Sequence, residues 1–257
     1  MEKESEHWYD KKGEAAYTVV GSNGKERNTN LKDARKHGYV PSVTTILGVA
    51  SKPPLENWKI NQAITAALTL KKNKGETDSQ FFYRCKEHSK SVGKKAAEMG
   101  TTIHAMIEQG FTGGKETKPY LAIKEYLDKL FPDEKWVAES SFCAEAGYGG
   151  KIDLYSESGI FVDFKTKDNL DGKEGSKLVF NEHGMQLSAY AEGCGFDDPE
   201  RVSIFVDRKD TGLIVPHKWD KDTHPKHLQM FNSLLTYWKL FKNYDPSETT
   251  VIDERSK

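Results

Sequence analysis

The chain has 257 residues, of which 30% are charged and 36% are hydrophobic, and its mean hydropathy is −0.72. This length is enough for one domain with a substantial core. The sequence has no apolar run long enough to cross a bilayer, so we exclude a membrane protein. The acidic, polar residues 1–7 resemble neither a signal peptide nor an arginine-rich transit peptide, so we do not expect secretion.

The sequence pattern predicts that the first half of the chain is mainly helical. Residues 1–38 are polar and predict an N-terminal arm or small hairpin, with a strand at 17–20 and a turn at 21–24. Ser42 can cap the first of the helices that follow. These helices are predicted near 43–49, 55–72, 79–110 and 119–131, and the third should break near 91–93. Residues 39–131 would form the helical part of a single domain covering 39–257.

After Pro132 the pattern changes to short apolar strands, which are predicted at 136–144, 150–155, 160–165, 202–207 and 213–219. A helix is predicted at 184–193 and a closing helix at 225–243. The closing helix should face the core with six apolar residues: Leu228, Phe231, Leu234, Leu235, Trp238 and Phe241. We expect its aromatic rings to belong to the core rather than to a base-stacking platform. The layout predicts an α/β fold, with residues 132–257 forming a mixed central sheet flanked by helices.

The chemistry of the chain centres on a predicted hairpin that carries Asp153 on its first strand and Asp163 and Lys165 on its second. An acid–x–Lys pattern means little alone, since this charged chain also contains it at 10–12, 116–118, 133–135 and 207–209. In the hairpin, however, apolar residues flank both aspartates, and a buried carboxylate needs a compensating cation or hydrogen-bond donors. Strand alternation places Asp163 and Lys165 on one face and leaves the Phe164 carbonyl available as a ligand. Such oxygens suit Mg²⁺ or Mn²⁺, although two solvated edge-strand acids would give the same pattern.

Two helical segments outside the hairpin add further polar groups. His104 lies within the third predicted helix, where a buried histidine of the core is the more common reading. Gln186 and Tyr190 lie one turn apart on the helix after the hairpin and would share a face. Glu139, on the first predicted strand, could be an outer acid of the same site or a partner in a rim ion pair.

Charge is distributed unevenly along the chain. Residues 1–100 contain 18 lysines and arginines against 12 acids, whereas residues 101–257 contain 20 against 27. A basic first part facing an acidic site would suit a phosphate-containing substrate, although a solvated charged surface looks similar. The three cysteines, Cys85, Cys143 and Cys194, are far apart without a C-x-x-C pair, so we expect neither a disulfide framework nor a zinc site.

In this order, His104, Gly150 with Asp153, Asp163 with Lys165, and Gln186 with Tyr190 resemble the motif series of the PD-(D/E)XK nuclease superfamily, in its RecB-like exonuclease branch. Residues 40–47 and Trp58 near the start are similar to mitochondrial genome maintenance exonucleases and related phage proteins. The resemblance covers about residues 39–244. The complete set of motifs is fairly specific, whereas each motif alone is not.

The resemblance implies a restriction-endonuclease-like core and a metal-dependent DNA exonuclease acting in replication, recombination or repair. His104, Asp153, Asp163 and the Phe164 carbonyl would hold Mg²⁺ or Mn²⁺, and Lys165 would act with both aspartates in catalysis. Gln186 and Tyr190 would support Lys165 or contact the substrate. Some relatives hold an iron–sulfur cluster with four cysteines, which this chain lacks, so no such cluster is expected.

The resemblance also implies single-stranded DNA threaded between the helical part and the sheet, with Ser42, Thr44, Thr45 and Trp58 as candidate contacts. Helix capping and core packing would explain these four residues equally well. A recombination or replication protein is a further possible partner, and the expected location is the cytoplasm of a bacterial or phage-infected cell. Two alternatives remain open: a module of the same fold that binds DNA or a partner without cutting, and a structure- or site-specific endonuclease.

Overall fold

A five-stranded mixed sheet organises the protein, whose computed structural model describes residues 6–248. Its strands lie in chain order, β5 to β9: Trp136–Ala144, Tyr148–Ser156, Ile160–Lys167, Glu200–Asp207 and Ile214–Lys218. Neighbouring strands are antiparallel except β7 and β8, which are parallel. A parallel pair needs a long crossover, and the chain makes it with a helix between these two strands.

Seven α-helices accompany the sheet in the described residues. From α1 to α7 they are Leu31–His37, Val43–Leu47, Pro53–Thr69, Asp78–Phe111, Lys118–Leu130, Asn181–Gly193 and His224–Lys242. The predicted fold class is therefore confirmed: an α/β protein with a mixed central sheet flanked by helices and a largely helical first half. No helix within residues 6–248 is both long and apolar enough to span a bilayer.

The two faces of the sheet support two separate cores, because alternate residues of β7 point in opposite directions. Phe161 packs in a core with residues of α6 and α7. Val162 and Phe164 pack in the other core, with Ile103 of α4 and Ile123 of α5. Strands β7 and β8 are thus buried on both faces, as is usual for the parallel pair of a layered sheet.

The N-terminal residues are built into the main core. Four short strands precede or interrupt the first helices, β1 to β4: Trp8–Tyr9, Thr18–Val20, Glu26–Asn28 and Val40–Pro41. The predicted hairpin corresponds to β2 and β3, whereas helix α1 lies in the region expected to be an arm. Trp8 is fully buried against Trp238 of α7. Residues 1–5 of the acidic start and 249–257 of the predicted 39–257 domain lie outside the described residues.

Helix α4 differs from its prediction, since it continues without a break through residues 91–93. Gly93 lowers helix propensity by only about 1 kcal/mol, which a long helix with a capping box at Thr77 and Gln80 can absorb. A Cβ at Gly93 would lie 3.8 Å from the Trp58 ring, so the glycine lies where α3 packs on α4. The glycine therefore marks a helix contact rather than a helix end.

Helix α7 also differs from its prediction at one end. Phe231, Leu235 and Trp238 are buried as expected, but Phe241 is 67% exposed. At 100° per residue, Phe241 lies about 80° around the helix from Phe231, at the margin of the core-facing stripe. The prediction that Phe241 belongs to the core is therefore wrong.

A buried arginine that forms no ion pair within residues 6–248 joins β8 to α6 and α7. Arg201 is 1% exposed and donates hydrogen bonds to Ser188 Oγ at 2.8 Å, Thr223 Oγ1 at 2.9 Å and the Asp220 carbonyl at 2.9 Å. Its Nη1 also lies 3.1 Å from Nδ1 of His227, which must be neutral to accept this hydrogen bond. Burial, followed by the charge of Arg201, lowers the pKa of His227 to about 4.

We expect the free energy of unfolding to fall as the pH decreases from about 6.5 towards 4, because the unfolded chain then protonates a histidine that the fold keeps neutral. The shift in the pKa of His227 is worth roughly 3 kcal/mol, or about 6–12 °C in melting temperature for a domain of this size. Melting followed by circular dichroism across this pH range measures the effect.

The matched variant is His227→Asn, which keeps an acceptor oxygen but cannot titrate. It should melt lower at neutral pH, because the buried ring is lost, yet its melting temperature should depend less on pH. An equal decrease in both proteins would show that His227 is not responsible.

Candidate active site

The site begins where the two strands of the hairpin separate. Strands β6 and β7 pair at Leu154 with Val162 and at the two positions nearer the turn, and the pairing ends there. The next facing positions are Asp153 and Asp163. Strand β7 nevertheless stays paired with β8 as far as Lys167. The separation thus opens a gap between the strands directly at the two predicted aspartates.

Asp153 closes part of this gap with its side chain. Its Oδ2 accepts a hydrogen bond of 2.8 Å from the backbone N–H of Phe164. The N–H and C=O groups of one residue in a strand point to the same edge, so the Phe164 carbonyl also faces the gap. The Phe164 carbonyl therefore points to the same side of β7 as the Asp153 carboxylate.

The side chains of strand β6 switch from one face of the sheet to the other at Asp153. Ile152 packs in the core under α6 and α7, while Leu154 packs in the core under α4 and α5, although residues two apart normally share a face. Glu139 lies opposite Asp153 in the register of β5 and has a left-handed φ of 57°. Backbone strain of this kind, of order 1–3 kcal/mol, accompanies the local turn of the strands. The Glu139 carboxylate forms an ion pair with Lys151.

Asp163 and Lys165 form an ion pair at the centre of the site. The Asp163 side chain is 1% exposed, and its Oδ1 accepts a hydrogen bond of 2.7 Å from the Lys165 ammonium. Its Oδ2 lies 2.6 Å from the same ammonium but makes no directed hydrogen bond within residues 6–248. Burial raises the pKa of Asp163 to about 6, although Lys165 opposes this effect. Burial lowers the pKa of Lys165, but Asp163 and Asp153 outweigh burial and leave the pKa above its ordinary value.

His104 reaches the gap from the opposite face of the sheet. Ile103 and Ile107 anchor this turn of α4 in the core, and the His104 ring packs edge-on against Phe164. Nδ1 of His104 lies 3.6 Å from Oδ1 of Asp153. Burial lowers the pKa of His104, but the contact with Asp153 outweighs burial and raises it. Burial likewise raises the pKa of Asp153, but His104 and Lys165 hold it below its usual range.

Gln186 of helix α6 binds Lys165 and is itself held by Tyr190. Lys165 donates a hydrogen bond of 3.1 Å to Oε1 of Gln186, and Nε2 of Gln186 donates one of 2.8 Å to the Tyr190 hydroxyl. Both helix residues are buried, and their spacing of four places them on one face. The structure thus joins the predicted residues in one chain of contacts, from Asp163 through Lys165 and Gln186 to Tyr190.

Gly150 leaves room for this chain of contacts. A Cβ atom at Gly150 would lie 2.8 Å from Cε1 of Tyr190 and 2.9 Å from Cε1 of Phe142. The glycine of the G-x-x-D motif therefore allows Tyr190 to pack directly on the strand that carries Asp153.

His183 is a residue of the site region that the sequence did not indicate. It is buried in the first turn of α6, and its Nδ1 accepts a hydrogen bond of 3.2 Å from the backbone N–H of Phe180. Burial and then the charges of Lys165 and Lys167 lower its pKa to about 3. No motif distinguishes this histidine, because its burial follows from the packing of α6.

The four other predicted contact residues do not join the carboxylates. Ser42 is buried and caps α2 by accepting a hydrogen bond of 3.0 Å from the Thr45 amide. Thr44 and Thr45 line a cleft beside α7. Trp58 lies against Gly93 of α4 and is 36% exposed. The capping alternative thus accounts for Ser42, while the threonines and Trp58 stay candidates for substrate contact.

The donors of the site suit a hard divalent cation, which prefers carboxylate and carbonyl oxygens. Asp163 offers a buried oxygen without a directed hydrogen bond, and Asp153 and the Phe164 carbonyl face the same gap. Within residues 6–248, however, no three His, Cys, Asp or Glu side chains are already arranged to hold a metal ion. The Lys165 ammonium lies against both oxygens of Asp163 and would have to share that carboxylate with a cation. Cys85, Cys143 and Cys194 lie in or next to α4, β5 and α6, respectively.

Comparisons with known proteins give structural likenesses only. No family model matches the chain, and no curated protein matches it. One similar solved structure is that of SSO0001, with 15% identity and a TM-score of 0.31 over 76% of this chain and 97% of that chain. Another is an alkaline exonuclease (LHK-Exo) from Laribacter hongkongensis, with 12% identity and a TM-score of 0.36 over 74% of this chain and 95% of that chain. At these TM-scores neither likeness bears on activity, so the function must be derived from the side chains of the site.

Substitution Gly150→Ala should displace the Tyr190 or Phe142 ring and destabilise the protein by about 1–3 kcal/mol, as is typical of overpacking. Melting temperature measures the loss. Gly212→Ala is the matched control, because a Cβ there would meet only Asp210 Oδ1 at 3.5 Å. If Gly150→Ala melts like Gly212→Ala, the packing of Tyr190 on β6 does not require the glycine.

Proposed function

We propose that this protein is a divalent-metal-dependent deoxyribonuclease of the RecB-like PD-(D/E)XK type, an exonuclease that prefers single-stranded DNA ends. The observation that carries the proposal is the meeting of Asp153, Asp163 and Lys165 at a gap between two strands. A buried carboxylate with a raised pKa beside an ammonium is expensive to keep, and such groups cluster at functional sites.

The ligands of the metal would be Asp153, Asp163, the Phe164 carbonyl and His104, and the ion would be Mg²⁺ or Mn²⁺. When bound, such an ion polarises the scissile phosphate and lowers the pKa of a water molecule. Asp163 is both one of these ligands and the partner of Lys165, so the same carboxylate would position both the cation and the ammonium.

Lys165 would act on the phosphate or on the attacking water. Its side chain is 30% exposed, so the ammonium can reach a substrate while it remains bound to Asp163. Its raised pKa keeps it protonated at neutral pH, which favours charge neutralisation and orientation of the water over proton abstraction. Gln186 and Tyr190 would hold the ammonium in place and need not touch DNA.

The choice of single-stranded DNA as substrate is supported by the surface of helices α3 and α4 together with the loop 70–77 that joins them. Residues 53–111 contain nine lysines and arginines against six acids. Aromatic side chains stand among these charges, with Phe82 58% and Tyr83 66% exposed. Basic groups interleaved with aromatic rings are typical of surfaces that bind single strands without sequence preference. A role in replication, recombination or repair, alongside a protein partner of that machinery, would follow from this substrate.

Asp163→Ala, Lys165→Ala and His104→Ala should each lower the cleavage of end-labelled single-stranded DNA, in Mg²⁺ or Mn²⁺, by about a hundredfold or more. Lys118→Met is the matched control, because Lys118 belongs to another acid–x–Lys match on the exposed start of α5. Wild-type cleavage by Asp163→Ala would refute the site. A wild-type protein that binds DNA but does not cut it would support the non-cleaving alternative.

Comparing linear with closed circular DNA distinguishes the exonuclease proposal from the endonuclease alternative. We expect linear single strands to be degraded from their ends and closed circular single strands to persist, because end-dependent cleavage requires a terminus to enter the gap. Rapid cutting of closed circles would instead favour an endonuclease. Duplex DNA with blunt ends, assayed in parallel, measures the strand preference.

Metal binding can be measured without activity. Saturating Mn²⁺ should raise the melting temperature above that in chelator, because a ligand at a hundred times its Kd stabilises by about 2.7 kcal/mol, or roughly 5–10 °C here. Asp163→Asn should lose most of this increase, whereas Lys118→Met should keep it. An equal increase in Asp163→Asn would place the cation elsewhere.

A further inference from the structure

We propose that a cleft beside helix α7 binds a stretch of single-stranded DNA by stacking bases on Tyr237 and Phe241 and by holding phosphates with lysines. This cleft, here called the α7 cleft, lies between α2, the start of α3 and the last turns of α7. The inference rests on the proposed function, since it assigns to the same enzyme a substrate-binding region outside the catalytic gap.

The size of the α7 cleft suits a ligand of several rings. Its volume is about 960 Å³, at the upper end of the range for small-ligand pockets. Threonine and serine hydroxyls, lysines and aromatic rings line it together, among them Thr44, Thr45 and Ser51. A purely apolar peptide groove would not carry this mixture.

Two aromatic side chains of the cleft, Tyr237 and Phe241, are exposed and are not part of the core. Tyr237 is 53% exposed and Phe241 is 67% exposed, although Trp238 between them is fully buried. Their ring centroids lie 5.7 Å apart with an interplanar angle of 8°. Two parallel rings exposed on one helix face form a stacking platform, and bases of any identity can stack on such rings.

The charges of the cleft favour a polyanion. Three lysines, Lys52, Lys59 and Lys242, line it against two acids, Glu6 and Glu56. Lys59 pairs with Glu56 at 3.1 Å and Lys242 with Glu6 at 2.6 Å. The Lys59–Glu56 pair is exposed, and exposed ion pairs contribute little to stability, so a phosphate can replace Glu56 at small cost.

Lys52 connects the cleft to the catalytic gap. Its ammonium lies 3.0 Å from Glu182, in the first turn of α6. Glu182 precedes Gln186 by one turn on the same helix face, and Gln186 holds Lys165. A strand lying in the cleft would therefore pass Lys52 on its way to Lys165.

The occupant must be single-stranded, because paired bases hide their faces within the duplex and cannot stack on protein rings. The stacking platform on α7 and the lysines near α3 line the same cleft, so a flexible backbone could place bases on one wall and phosphates on the other. The cleft would thus hold part of the strand while its end occupies the gap.

The test measures the binding of a fluorescein-labelled oligothymidylate by anisotropy, in chelator so that no cutting occurs. The double variant Tyr237→Ala with Phe241→Ala should bind about tenfold more weakly or worse, because two stacked bases are lost. Leu240→Ala, on the same turn of α7 and 77% exposed, does not line the cleft and should bind like wild type. Exchanging the rings, with Tyr237→Phe and Phe241→Tyr, should preserve affinity.

A small chromogenic phosphodiester, thymidine 5′-(p-nitrophenyl phosphate), tests the catalytic gap without the α7 cleft. The double alanine variant should hydrolyse it at the wild-type rate in Mn²⁺, since this substrate does not extend to α7. Wild-type oligonucleotide affinity in the double variant, or a matching loss in Leu240→Ala, would overturn the proposal, as would a parallel loss of turnover on the small substrate. If wild-type protein hydrolyses no phosphodiester, the proposed function fails, while the anisotropy result still decides whether the cleft binds a single strand.

Discussion

The buried ion pair between Asp163 and Lys165 is the interaction on which the site depends. The sheet places Asp163 in a layer that is buried on both faces, where a carboxylate without a cation would be strongly destabilising. Lys165 supplies that cation from two residues along the same strand, and Gln186 and Tyr190 fix its position from α6. The glycine under Tyr190 leaves room for these four side chains to stay in contact.

The gap between β6 and β7 gives this ion pair access to groups on both faces of the sheet. In a continuously paired sheet, side chains from α4 and α6 would be separated by a layer of backbone. Because pairing stops before Asp153 and Asp163, His104 from one face and Lys165 from the other approach the same pair of carboxylates. Glu139, across β5 from Asp153, has a left-handed conformation at the level of this opening.

The sequence predicted the order of elements after Pro132. Spacing within one strand or helix also placed Asp163 with Lys165, and Gln186 with Tyr190, on shared faces. That His104 and Asp153 would lie beside them was implied only by the resemblance to known nucleases, because the meeting of separate elements is not a local property. The sequence did not predict where β6 and β7 separate, since this depends on packing between distant elements. It also did not indicate the buried His183 near the site, which no local pattern distinguishes. Phe241 was expected in the core because its spacing fits the apolar stripe. The drift of that stripe around α7 instead leaves Phe241 exposed.

The unbroken α4 helix has a mechanical consequence. Its 34 residues span about 50 Å, well beyond the roughly 20 Å width of five paired strands. Ile103 and Ile107 anchor the turn that carries His104 in the core, and α3 packs along the helix. Because the helix has no hinge at residues 91–93, the core contacts of that turn also fix the direction in which the rest of α4 projects. The position of the His104 ring and the orientation of the exposed rings of Phe82 and Tyr83 are therefore set by one rigid element.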